Sequence, residues 1–433
     1  KGKIKESGSA AGNCYGGIAG KNSGRLFNCE VQEITCEVQG IYTATSTSTA
    51  KEKEELASHI GGIAGKNEET GSIVECRLAG SSNTISAGSG MAGGIAGYNN
   101  GRIELSGDSI VEQIMQEAQS AGGSPQKVEN VQQLIELASG MKLKADSQYV
   151  QWNDNNPHLE NFNYANRGSG ISKNRTLTLT MSVNGNVGGI TAYNSPKGSV
   201  DHCATGNWYV SNKSNAIGVG TGGIIGMNES ENDLSFLLNQ AFVGREIAKD
   251  DTNRFAGGII GNQNNTTASG WKLDSCVNYG TVYCLRTHYS GGILGQWTGT
   301  GGTIENCHNY GNLQTTYQAG WVGAAAGIVA QLYHAYDNNE YNIISCKNFG
   351  NIYGRTGRNT NNCANDSAGI LGNITAFKSS GGESAQHYTI QVLDCVNGPG
   401  VEIYSNSMAS GIVGFFSSDN TGKIANDTGN IKL

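Results

Sequence analysis

Proline occurs only 4 times in 433 residues, charged side chains make up 15% of the chain and aromatic ones 7%. Each scarcity excludes something. The 64 glycines suggest collagen or a flexible linker, but collagen needs a strict triplet with abundant proline, and a linker would lack the Ile, Val, Leu and Tyr present here. Low charge with regular apolar punctuation is also unlike a disordered chain. A net charge of -7, from 29 basic and 36 acidic residues with no basic stripe, argues against a nucleic-acid partner. No apolar run approaches the roughly 18 residues of a membrane-spanning helix, so no membrane insertion is expected. The first residue is Lys1, which suggests a processed chain or a segment of a larger protein.

What is present is a repeat. A Gly-Gly-Ile-x-Gly signature recurs with its second glycine at Gly17, Gly62, Gly94, Gly189, Gly223, Gly258, Gly292, Gly327, Gly369 and Gly411. All ten are followed by isoleucine: Ile18, Ile63, Ile95, Ile190, Ile224, Ile259, Ile293, Ile328, Ile370 and Ile412. The central anchors are spaced 34, 35, 34 and 35 residues apart. Segments such as Thr303 to Cys307 and Leu273 to Val277 are too short and too alternating for helices of that period, and Asn-Tyr-Gly turns follow them. Short strands that stack on their equivalents in the next unit predict an all-β parallel β-solenoid (β-helix) of about ten coils, with the isoleucines as a buried ladder. Glycine is required at the anchor where a Cβ would collide with the next coil or force a positive φ.

Further columns follow each anchor. Cys29, Cys76, Cys203, Cys276, Cys307, Cys346 and Cys395 recur once per unit, several in a Cys-x-Asn-Tyr-Gly context. Eleven cysteines without a Cys-x-x-Cys pair indicate neither a zinc site nor a full disulfide framework, so these thiols are expected as compact core residues. Cys14, Cys36, Cys284 and Cys363 lie off the column, with a disulfide among them left open. Asn278, Asn309, Asn348 and Asn397 are candidates for an amide ladder along the stack. Five residues after the anchor stand Asn22, Asn67, Asn99, Asn194 and Asn228, then Gln263, Trp297, Leu332, Ile374 and Phe416. The apolar end of that column is expected in the core.

The stretch Gly16 to Cys29, with a looser copy at Gly61 to Cys76 and the Cys-x-Asn-Tyr-Gly segments, resembles the GLUG repeat. That resemblance implies a right-handed parallel β-solenoid from a bacterial secreted or cell-surface protein, adhesin-like and engaged in host interaction. Some GLUG proteins belong to metallopeptidases, but this chain has no His-Glu-x-x-His.

Between Gly94 and Gly189 the signature is missing. Asp108 and Ser109 offer N-caps to an apolar stripe from Ile110 that ends at Gly122-Gly123, and a second helix is predicted from Ser124 and Pro125 to Gly140. Both should dock an apolar face on the solenoid. The expected organisation is thus 1–107 as N-terminal coils, 108–170 as a helical hairpin plus aromatic loop (an insertion or a junction), and 171–433 as C-terminal coils. Tyr149, Trp152, Asp154, Phe162 and Tyr164 in that loop combine flat rings with polar groups and form the candidate ligand surface.

No two carboxylates are expected in one column, and no histidine pairs with a nucleophile, so no catalysis, cofactor or metal is expected. His308 is taken as a surface neighbour of Cys307. The expected partner is a host protein, with mucin and immunoglobulin as candidates, or a polysaccharide, bound by loops on a rigid rod. A β-helix glycoside hydrolase or polysaccharide lyase is the alternative, and a structural stalk the second.

Overall fold

A computed structural model describes residues 2–6, 12–44, 48–117, 126–143, 174–213, 219–244, 255–265, 270–285, 289–317, 323–335, 339–356, 365–375, 388–405, 408–417 and 430–432. The chain is an all-β parallel solenoid of ten coils, one for each Gly-Ile signature. Each coil starts with a long first side, continuous in Asn83–Gly93 and Leu177–Gly188 and interrupted in most other coils. The Gly-Ile bend leads to a second side such as Ala96–Asn99, a third such as Arg102–Glu104, and a fourth of two or three residues such as Val277–Asn278. Equivalent sides pair in parallel, so the second and third sheets each contain ten strands.

The isoleucine ladder is buried from Ile63 to Ile370, while Ile18 in the first coil is 42% exposed because no described coil lies before it. Collision explains the nine anchor glycines before the last coil: a Cβ on Gly258 would lie 2.1 Å from the carbonyl oxygen of Gly292 and 2.4 Å from Cγ of Asn278, whereas one on Gly411 meets nothing within 4 Å. The alternative reason, positive φ, does not apply to them. Left-handed backbone occurs at another corner, where Asn28, Glu75, Leu105, His202, Phe236, Ser275, Asn306, Ser345 and Asp394 have φ between 47° and 54°. Each immediately precedes the cysteine column or its substitutes Ser106 and Leu237. This corner turns the thiol inward, and Sγ donates to the carbonyl two residues back, as from Cys307 to Glu305 at 3.2 Å. Cys76, Cys203, Cys276, Cys307 and Cys346 are fully buried, and Cys14, Cys29, Cys36 and Cys395 are likewise free thiols.

Two amide ladders run through the interior. The predicted one holds at 2.8 Å per rung from Asn278 to Asn309, Asn348 and Asn397, and it begins a coil earlier, at Asn239. The other links Asn22, Asn67, Asn99, Asn194, Asn228 and Gln263 on the second sheet, with rungs of 2.7 to 2.9 Å. It stops where Trp297, Leu332 and Ile374 take over the same register, all three buried in the core as expected. Polar pairing thus passes from one wall of the interior to another halfway along the rod.

The interruption after the third coil differs from the predicted helical hairpin. The first helix, α2 (Val111–Ile114), is a single turn, preceded by Asp108, whose carboxylate is shared between the amide of Ile110 and the indole of Trp208. An antiparallel pair, Gln116–Glu117 with Gln126–Lys127, follows in place of further helix. The second helix, α3 (Val131–Gly140), is capped by Asn130 rather than Ser124, since Val128 is held extended with its carbonyl on His202 Nε2 at 2.8 Å. Docking occurs as predicted: Val111, Ile114, Leu134 and Ala138 pack on Leu105, Ala204, Leu238, Val277 and Tyr279 of the fourth side. A third helix, α1 (Ala50–Glu55), was not predicted; it starts from a capping box formed by Thr49 and Glu52.

Candidate functional site

Long connections leave the coils repeatedly between the halves of the first side, as at 39–58, 245–254 and 357–364, and between the second and third sides, as at 376–388 and 418–429. The longest, 109–176, leaves once, between the fourth side of the third coil and the first side of the next. The bend from first to second side is held to the Gly-Ile pair, and the third-to-fourth corner to the left-handed residue and its cysteine. The recurrent variable segments therefore flank the second half of the first side and the second side, and they single out the outward row of the second sheet.

That row stands four residues after each anchor and is in register along the rod: Lys21, Lys66, Tyr98, Tyr193, Met227, Asn262, Gln296, Gln331 and Asn373. It meets a row on the first side, as the bond from Asn373 Nδ2 to Asp366 Oδ2 at 3.0 Å and the His59–Tyr98 ring contact at 5.1 Å demonstrate. In coils two to five it is covered by residues 41–44 and 48–58, whose Tyr42, Ala44 and Ala57 pack with Met91, Tyr98, Tyr193 and Met227. Lys53 of α1 enters this layer 2% exposed and bonds Glu229, which also accepts from the hydroxyl of Tyr193 and from Asn264 Nδ2 at 3.1 Å. Lys66 pairs with Glu54 and, at 2.6 Å, with Glu68.

Burial sets the protonation here. It holds His59 neutral, with its pKa lowered to about 3, and nearby Lys66 and Lys21 add to the effect. Burial, then the charge of Glu229, keeps Tyr193 protonated well above its ordinary range. Cys14 Sγ lies 3.4 Å from His59 Nδ1, yet burial pushes the thiol up to about 11 against the pull of Lys21 and Lys66. A neutral thiol beside a neutral imidazole is not an activated nucleophile.

From coil six the row becomes an amide array. Asn262, Gln296, Gln331 and Asn373 are all buried, and Gln296 Nε2 donates to Gln331 Oε1 at 2.6 Å. Phe255 and Tyr289 stand on the facing row, stacked at 5.9 Å with ring planes 6° apart. The sequence carried a signal for this row, since it is the column next to the noted Asn-to-Trp column, but its outward aspect was not drawn from spacing.

Carboxylates do share a column, contrary to expectation. Glu104, Asp201, Ser235, Asp274 and Glu305 are in register on the outer face of the third sheet. The third side begins at different distances from each anchor, which hid the alignment. Most of these groups are engaged: Glu104 with Lys127 and Arg102, Asp201 with Ser235 at 2.6 Å and His202 at 2.7 Å, and Asp274 with Lys272 at 3.2 Å, which also reaches Glu305. His308, taken from sequence as a surface neighbour, is 5% exposed and part of the fourth side. Among the described residues no group of three or more His, Cys, Asp or Glu is placed to hold a metal. Tyr149, Trp152, Asp154, Phe162 and Tyr164 lie outside the described residues. No family model, curated protein or solved structure matches the chain.

Proposed function

We propose that this chain is a non-catalytic binding module of the GLUG type, from a bacterial secreted or surface protein, that recognises a host protein or glycan through one face of a rigid rod. The observation that carries this reading is the distribution of connections: those that recur with variable length border the second sheet, whereas the other corners are short and sterically constrained except for the single insertion at 109–176. Recognition elements commonly vary on a scaffold that stays fixed. Thiols, amide ladders and the carboxylates of the third-sheet column are engaged within the rod, which leaves the second-sheet face as the surface free to differ.

The test is avid, multivalent display of the full chain against arrays of host glycans and host proteins, mucins and immunoglobulins included. Binding to one class supports the module. Silence on both arrays favours the stalk. The carboxylate column favours a second reading, a β-helix enzyme acting on polysaccharide, because neighbouring acids on one face are what glycoside cleavage requires. Polysaccharide turnover lost in both Asp274→Asn and Glu305→Gln would establish that reading in place of the first.

A further inference from the structure

We infer that the two ends of the rod fit each other, so that the last coil of one copy of this chain stacks on the first coil of a second copy and the rods join head to tail. This holds whatever the second-sheet face binds. Gly411 points to it. A Cβ on each of the nine anchor glycines before it would strike the carbonyl oxygen of the next anchor, as Gly369 would strike that of Gly411 at 2.1 Å. A Cβ on Gly411 meets nothing within 4 Å, and its φ lies outside the left-handed region that favours glycine. Nothing among the described residues of its own chain requires glycine there. A further coil stacked on it would.

The backbone gives that contact a direction. At the Gly-Ile bends the amides donate forward, from Gly17 to the carbonyl of Gly62 at 3.2 Å, from Ile18 to that of Ile63 at 2.9 Å, and at the far end from Ile370 to that of Ile412 at 3.2 Å. The first coil is left with the carbonyls of Gly17 and Ile18, to which no described residue donates. The last coil is left with amides: that of Ile412 reaches its neighbour Ser410 Oγ, at 3.4 Å, in place of a further coil. A donor end fits an acceptor end, and two like ends do not fit.

Apolar surface is open at the same two ends. Ile18 is 42% exposed and Phe27 47%, and Leu26 is half-buried, whereas Ile63 and Ile73 one coil on are fully buried. Ile412 and Val413 are half-buried, while Ile370 and Leu371 beneath them are not reached by solvent. Setting Ser410 to Val413 on Gly16 to Ala19 of the second copy continues the register that joins every pair of coils, with Gly411 on Gly17 and Ile412 on Ile18. The helices α1, α2 and α3 pack on the flanks of the rod and cover neither end. Unpaired strand edges are templates for another chain, and a contact between unlike ends does not close, so it builds open rows of rods.

The experiment is sedimentation velocity of the full chain between about 1 and 200 µM, where self-association shows as a concentration-dependent mass. Wild type is expected to form dimers and longer rows as concentration rises. Gly411→Ala, whose methyl group has open space in the single chain, and Ile18→Lys, at an exposed position, should each keep the wild-type urea midpoint and stay monomeric throughout. Each retains one intact end, so an equal mixture of the two should form dimers and nothing larger. If Ile18→Lys fails to fold, Phe27→Glu at the same end takes its place. Wild type that stays monomeric, Gly411→Ala that associates like wild type, or a mixture that stays monomeric would each overturn the head-to-tail junction.

Discussion

Asn309 shows what one side chain does in a stacked fold. Its amide accepts from Asn278, donates to Asn348 and to the carbonyl of Gly311, and accepts from the amide of Gly311, all in the dry interior. Replacement by alanine removes these bonds and strands partners on two other coils. Asn309→Ala is expected to destabilise the chain by about 2–4 kcal/mol, read from the urea midpoint, because each buried group left unpaired costs about 1–3 kcal/mol. A loss under about 0.5 kcal/mol would mean that the ladder contributes little to stability. The anchor glycine beside it is constrained in the same place: a Cβ on Gly292 would lie 2.4 Å from Cγ of Asn309.

The element with the most distinct role is α1 and the segment around it. Lys53 and Glu229 are joined across the solenoid surface with side-chain exposures of 3% and 10%. Removing one partner of such a pair leaves a buried charge, typically at a cost of about 3–5 kcal/mol, whereas replacing both can be neutral. Glu229→Gln should therefore release this segment, with faster amide exchange over 48–57 and new tryptic cleavage after Lys51 or Lys53, while the coils beneath keep their protection. The double variant Lys53→Met, Glu229→Gln should restore both. Equal protection in the single variant would show that Tyr42, Ala44 and Ala57 suffice to hold the segment.

At the scale of the molecule, two buried histidines give stability a pH dependence. Burial lowers the pKa of His59 to about 3, with Lys66 and Lys21 adding to it, and that of His308 to about 4, with Lys347 adding to it. Below the unfolded value of about 6.5 the unfolded chain takes up protons that the native chain does not, so both contributions are complete above about pH 6.5 and are lost as pH falls towards 4. Each excess proton gives a slope of about 1.4 kcal/mol per pH unit. Urea midpoints measured from pH 7 to 5 should fall, and His308→Asn should show a shallower decline than wild type. Identical slopes in the two proteins would contradict the buried neutral assignment. Because each coil touches only its neighbours, His308→Asn should leave exchange in the first three coils unchanged.

The sequence by itself determined the repeat, the coil count, the isoleucine ladder, most of one amide ladder and the burial of five of the seven column thiols. These follow from residues at a constant offset from the anchor, and a solenoid turns constant offset into stacking. The tertiary structure decided what variable offset conceals. Glu104, Asp201, Asp274 and Glu305 share a column although the segments before them differ in length, and register is set by hydrogen bonding between coils rather than by counting. It also decided local contests: Gln116–Glu117 pairs with Gln126–Lys127, and α2 ends after one turn. The outward amide row was adjacent in sequence to a column already noted, but which face it presents depends on how the second side meets the first, and only packing settles that.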